Sequence, residues 1–292
     1  MSMPRLFTAM VTPFDDDFQV NYSKAAEVAE YLFENGSDGL IVSGTTGESP
    51  VLTAEEQMKL FSTVKKAVGS KVKVWGGTGG NDTAHVVALS KEAEKTGVDG
   101  LLVVAPYYNK PNPEGLYQHY KTVAEAVSLP IMVYNIPSRT SINILPDTMA
   151  RITAIDNITA IKESCGDLDQ ISILKNTIQD DIYLYSGDDY LALPMMAVGA
   201  YGVVSVASHI IGKEIRAMLQ AYLSGQVNEA QQYHAKLYSM FKGLFVTSSP
   251  IPVKAAMNLM GMKVGNLRLP LVAADKAVTE YLSALLKQYN RL

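Results

Sequence analysis

Lys162 ends a short apolar run in the segment ITAIKESCGD, residues 158–167. Lysine is among the residues least often buried without a partner. An amine carried by a core strand is therefore a candidate for chemistry. Kept from water, its pKa falls below the reference ~10.4, because desolvation penalises the ammonium. The neutral amine adds to a carbonyl, loses water and leaves an iminium that draws electrons from the neighbouring carbon. Other segments supply what such chemistry needs. GTTGES, residues 44–49, combines glycines and hydroxyls at the approach to a helix, where backbone N–H groups suit a small carboxylate. YNIPSRT, residues 134–140, offers the phenol of Tyr134 for proton movement near a carbonyl and the guanidinium of Arg139 for a carboxylate. Each has a plainer reading beside it: a lysine snorkelling to water, capping hydroxyls, a packed tyrosine, a solvated arginine.

Several motifs point away from other chemistries. GGTGGND, residues 76–82, fails the dinucleotide pattern because Asp82 stands in the third glycine's place, and no GK[ST] follows. It reads as a turn needing unusual backbone angles. SGDD, residues 186–189, reads as a turn with acids near a helix start. The four histidines, 85, 119, 209 and 234, have no ligand spacing, so no metal site is expected. Cys165 is the single cysteine and reads as a small apolar side chain near a strand end.

Composition is that of a globular chain: of 292 residues, 48% are hydrophobic and 18% charged, with a formal net charge of −4. No basic stretch with interleaved aromatics is present, so nucleic acid is not an expected partner. No run reaches the ~18 apolar residues of a membrane span, and the N-terminal residues lack the apolar segment of a signal peptide. The expectation is a soluble, cytoplasmic protein.

The elements that must position these groups follow one grammar. An amphipathic helical stretch ends in Gly, Asp or Asn, and a short β-branched run follows. Strands are predicted to begin near residues 6, 39, 72, 100, 131, 158, 182 and 202. They are continuously apolar, as parallel strands covered on both faces should be. Between them, SKAAEVAEYLFEN puts Ala25, Val28, Ala29 and Leu32 on one helix face. Thr53 and Glu56 have capping-box spacing, and Pro113 and Glu114 suit a helix's first turn. Spacings of roughly 20 to 33 residues fit βα units, and eight of them predict a (β/α)8 TIM barrel. An open doubly wound sheet is the alternative. The barrel is expected to occupy residues 1–224. Residues 225–292 are expected to form a C-terminal helical appendage, with helices over roughly 226–245, 250–261 and 275–290 punctuated by Gly225 and Gly265. In such barrels the chemistry lies where strands end, which is where GTTGES, PYYNKP, YNIPSRT, Lys162, SGDD and SVASH fall.

In this order, TAMVTPF, GTTGES, PYYNKP, YNIPSRT, IKES, SGDD and SPIPVKAAM cover essentially the whole chain. Together they resemble the class I, Schiff-base-forming, pyruvate-dependent lyases and aldolases, a family that includes the sialic-acid lyases. Thr45, the second residue of GTTGES, where sialic-acid lyases typically have serine, and the arginine of PSRT place it nearer the branch that condenses pyruvate with L-aspartate 4-semialdehyde. The resemblance implies that Lys162 forms the imine with pyruvate and that Tyr134 relays protons. Thr45 would link Tyr134 to Tyr108, with Tyr108 reaching in from a neighbouring subunit. The N–H groups of Thr45 and Thr46 would hold pyruvate's carboxylate, Arg139 would receive the second substrate, and Gly187 and Val204 would line the pocket. It also implies a homotetramer built from two dimers, a place at the start of the diaminopimelate and lysine pathway, and no metal or organic cofactor. Two other readings stand beside it: a sibling aldolase acting on a 2-keto-3-deoxy sugar acid, and a non-catalytic keto-acid-binding barrel. In the region matching the family's lysine-regulatory site, Ser49, Asn81 and Tyr107 fit. Ala54, Gln57 and His85 replace histidines and a glutamate, so weak or absent lysine inhibition is expected.

Overall fold

Eight short parallel strands close into a barrel in the order β1-β2-β3-β4-β5-β6-β7-β8 in a computed structural model that describes residues 3–292. Met1 and Ser2, the start of the predicted barrel region, lie outside the described residues. The strands are β1 (Leu6–Ala9), β2 (Gly39–Val42), β3 (Lys73–Gly77), β4 (Gly100–Val104), β5 (Ile131–Asn135), β6 (Ile158–Glu163), β7 (Tyr183–Ser186) and β8 (Gly202–Ser205). Each begins within one residue of its predicted start. Their apolar runs are buried on both faces, as in β2 and β5, where every residue is buried.

By backbone contacts the chain divides into two compact units: residues up to Lys73 with Ser205–Leu292, and Val74–Val204. In the first, helix Tyr22–Glu34 buries the expected Ala25, Val28, Ala29 and Leu32 and packs on helix Ala54–Val68. That second helix opens with the Thr53–Glu56 capping box, both hydrogen bonds formed. After β8 come helices Ser208–Leu223, Val227–Gly243, Ile251–Leu259 and Lys276–Gln288, close to the predicted spans. Gly265 takes a φ of 77°, and a Cβ there would lie 2.0 Å from the Phe14 carbonyl oxygen, so only glycine lets the tail approach so closely.

The second unit carries β4 to β7 and most of β3 and β8. Helix Pro113–Glu125 starts with Pro113 and Glu114 as expected, capped by the Asn112 side chain. The reading of GGTGGND needs correction. Neither Gly79 nor Gly80 takes a positive φ. Gly79 serves close approach instead, since a Cβ there would lie 2.2 Å from the Val104 amide nitrogen.

The β5–β6 pairing shifts register near its start. Ile131 pairs with Ile158, but Met132 pairs with Ala160, so Thr159 is an extra residue in β6. The shift sets Tyr134 opposite Lys162 and Asn135 opposite Glu163. Successive strand residues point to opposite faces, so one register produces two facing pairs, one on each side of the sheet.

Candidate active site

Lys162, the fifth residue of β6, is 6% exposed. Its Nζ lies 3.9 Å from the centroid of the Tyr134 ring. The ring itself is 4% exposed, so the ammonium form gains a cation–π contact but loses nearly all hydration. Burial pushes the amine down from its ordinary value to about 8. Asp188 and Asp189 in the turn after β7 pull it back up, and Arg139 in the short helix Pro137–Thr140 pushes it further down. An amine with a pKa of about 8 is partly neutral near physiological pH, which is the state a carbonyl adduct requires.

Gly187 follows β7 beside this amine. A Cβ there would lie 2.9 Å from Lys162 Cε and 2.0 Å from Ser164 Oγ. Only a glycine leaves the lysine stem its room. Val204 is fully buried in β8. The second unit therefore brings Lys162, Tyr134 and Gly187 together, with Arg139 close enough to act on the amine's charge.

The GTTGES turn after β2 lies in the first unit. The N–H groups of Gly47 and Ser49 donate to the Gly44 carbonyl at 3.1 and 3.3 Å, and that of Glu48 donates to the Thr45 carbonyl at 3.1 Å. Among the described residues nothing accepts from the Thr45 and Thr46 N–H groups, so this turn retains two backbone donors for an anion. Tyr108, on the loop after β4, is 87% exposed and sits at a φ of 73°. That is a strained place for a large side chain with no cover in this chain.

Of the residues matched to a regulatory site, Ser49 opens the short 3-10 turn Ser49–Val51, Ala54 and Gln57 lie in helix Ala54–Val68, His85 lies in helix Thr83–Glu94, and Asn81 and Tyr107 lie in loops. Gln57 donates from Nε2 to the Ser49 carbonyl at 3.3 Å, and Ala54 is exposed on the same helix. Asn81 accepts at its carbonyl from Asn109 Nδ2 at 2.8 Å, while His85 and Tyr107 are exposed.

Two supporting groups went unread in the sequence. Behind Lys162 and Tyr134, Asn135 Nδ2 donates to both Glu163 carboxylate oxygens at 2.9 and 3.1 Å and to Asn143 Oδ1 at 2.8 Å. The Cys165 amide donates to Glu163 Oε1 at 2.8 Å, and the Ile144 amide donates to Asn135 Oδ1 at 3.0 Å. Glu163 is fully buried, and burial pushes its carboxyl up to about 7 against these hydrogen bonds. The pair ties together the two strands that present the amine and the phenol. Its signal was the polar residue directly after each candidate, in KE and YN. The Cys165 thiol is pushed up to about 12 by burial and by Glu163, which disfavours the thiolate.

The second group anchors the GTTGES turn. Glu48 has a left-handed backbone, with φ 57° and ψ 36°. Its Oε1 accepts from Lys254 Nζ at 2.8 Å, and its Oε2 accepts from the Arg268 amide at 3.0 Å. Lys254 Nζ also donates to the Thr12 and Asn266 carbonyls at 2.9 and 2.6 Å, so the buried ammonium is fully satisfied. Its signal lay in motifs already singled out, as the acid of GTTGES and the lysine of SPIPVK.

The chain is similar to known proteins over nearly its whole length. The sequence matches the Dihydrodipicolinate synthetase family over residues 2–289. It is 54% identical to 4-hydroxy-tetrahydrodipicolinate synthase of Heliobacterium modesticaldum, across 99% of this chain and 97% of that one. It is 52% identical to the enzyme of the same name from Desulforamulus reducens, across 99% and 98%. The fold superposes on the crystal structure of dihydrodipicolinate synthase DapA-2 from Bacillus anthracis with a TM-score of 0.96 at 43% identity, covering 98% of each chain. It matches the Cyanidioschyzon merolae enzyme with lysine bound at a TM-score of 0.97 and 43% identity, covering 99% and 98%.

Proposed function

The chain belongs to the Dihydrodipicolinate synthetase family, and from that premise we infer that it catalyses the 4-hydroxy-tetrahydrodipicolinate synthase reaction, as a lyase of lysine and diaminopimelate biosynthesis. Full-length relatives at about half identity all bear that activity's name. They favour it over a sugar-acid aldolase and over a non-catalytic keto-acid binder. The observation that carries the mechanism is Lys162, a buried amine held on the Tyr134 ring with its pKa lowered to about 8.

In this reading Lys162 attacks the ketone of pyruvate, and loss of water gives an imine. Loss of a proton from the methyl carbon gives the enamine, with Tyr134 moving protons. The enamine carbon attacks the aldehyde of L-aspartate 4-semialdehyde, whose carboxylate Arg139 receives. The substrate's own amine then displaces Lys162 and closes the ring. The Thr45 and Thr46 amides are assigned to pyruvate's carboxylate, and Gly187 and Val204 to the pocket lining. Thr45 is assigned to the relay between Tyr134 and Tyr108.

The working form is read as a cytoplasmic homotetramer of two dimers. The support for an assembly is Tyr108, a large aromatic side chain left almost wholly exposed. With Ala54, Gln57 and His85 in the regulatory region, no carboxylate is offered there to lysine's ammonium group, so feedback should be weak or absent. Inhibition by micromolar lysine would contradict that part.

The test of the activity is direct. Purified protein should consume pyruvate only when L-aspartate 4-semialdehyde is present and release the cyclic product. Lys162→Ala should abolish turnover. Turnover with a sugar-acid aldehyde and none with the semialdehyde would reject the assignment.

A further inference from the structure

Ser164 lies one residue beyond β6. Its amide donates to the Asn135 carbonyl at 2.9 Å, so strand pairing continues through it. Two-residue alternation puts its side chain on the face that Lys162 uses, opposite to Glu163. Gly187 reports the spacing. A Cβ built there would meet Ser164 Oγ at 2.0 Å, Lys162 Cε at 2.9 Å and Lys162 Cγ at 3.2 Å. The hydroxyl and the lysine stem therefore border one small volume, which Gly187 keeps clear of a side chain.

Ser164 is only 9% exposed, and its Oγ has no hydrogen-bond partner. A buried hydroxyl left unpaired is costly, and native proteins keep few of them. The cost is explained when a polar atom meets the hydroxyl in the working state. The volume it borders also borders Lys162 Cε, the carbon that bears the amine.

We propose that Ser164 is a further substrate-contacting residue, whose hydroxyl donates a hydrogen bond to the oxygen on the keto acid's reacting carbon while that carbon is being joined to Lys162. The proposal rests on the Schiff-base reading of Lys162. The amine nitrogen bonds to the carbonyl carbon as the C=O π pair moves to oxygen, and a proton passes from nitrogen to that oxygen. This gives a carbinolamine. The C–O bond then breaks, the oxygen leaves as water with the second nitrogen proton, and the nitrogen lone pair forms the C=N bond. Ser164 neither gains nor loses a proton in the sum. Its hydrogen bond stabilises the charge that collects on oxygen in the first step.

The experiment is rapid-quench borohydride trapping of pyruvate on the full chain, comparing wild type with Ser164→Ala and Ser164→Cys. Cysteine keeps the side chain's shape but is a weak donor. Both variants should still place the adduct on Lys162, at a rate reduced roughly tenfold, the size of one good hydrogen bond. In steady state, kcat/KM for pyruvate should fall while KM for the aldehyde holds, with melting temperatures near wild type. A merely structural serine would not give that split. Wild-type trapping rates in either folded variant would overturn the proposal alone. Absence of any adduct in the wild type would overturn it together with the mechanism on which it rests. If the alanine variant does not fold, the cysteine variant decides.

Discussion

The Lys162 amine is held between two tendencies. Burial and Arg139 favour the neutral form, and the acids at 188 and 189 favour the charged one. With a pKa of about 8, its neutral fraction falls about tenfold for each pH unit below that value. The initial rate of pyruvate adduct formation should therefore climb with pH up to about 8 and then level. A rate independent of pH from 6 to 9.5 would contradict this. Glu163, directly behind it, titrates with the opposite consequence for stability. Its folded pKa of about 7 lies above the unfolded ~4.3, so the native state holds the extra proton between those values. The stability it contributes is complete below the lower value and is lost as pH rises through 7. Glu163→Gln removes the dependence. In urea unfolding at pH 5 and 7.5, wild type should lose stability relative to the variant as pH rises, and parallel behaviour would reject the assignment. Lys162 and Tyr134 were legible in the sequence because each sits where an apolar run meets a polar loop. Glu163 and Asn135 were not. Their partnership depends on a register set by one extra residue, Thr159, and no local pattern announces that shift.

At the scale of elements, the GTTGES turn depends on chain about 200 residues away. Glu48 holds a left-handed backbone that most side chains avoid, and its carboxylate is fixed by Lys254 and the Arg268 amide. Burial pushes the Lys254 ammonium toward its neutral form, and Glu48 opposes that. Removing one partner strands the other charge in the interior. Lys254→Met should therefore cost about 3–5 kcal/mol of stability. A loss of less than about 1 kcal/mol in unfolding free energy, measured by denaturant titration, would show that the pair is not holding the turn. The strands themselves were readable to within a residue, because runs buried on both faces leave a continuous apolar signature. The glycines of GGTGGND were misread for a physical reason. Glycine serves both unusual backbone angles and close approach, and sequence does not separate the two. Gly79 is the second case, packed against the amide of Val104.

At the scale of the molecule, the described residues include no helix long and apolar enough to cross a membrane. The exposed Tyr108 is the feature that asks for another chain. If it completes a neighbour's site, Lys162→Ala and Tyr108→Phe subunits, each poorly active alone, should regain activity when dissociated and reassembled together. A mixture no more active than its parents would place Tyr108 outside the catalytic assembly. Such a partnership is not readable from the residues, since a tyrosine on a loop looks the same whether it meets water or another subunit. The central claim concerns one amine, and intact-protein mass spectrometry tests it first. After pyruvate and borohydride, each chain should carry one reduced pyruvate adduct, formed with loss of water and mapped by proteolysis to Lys162. An unmodified chain, or an adduct on another lysine, would contradict the account.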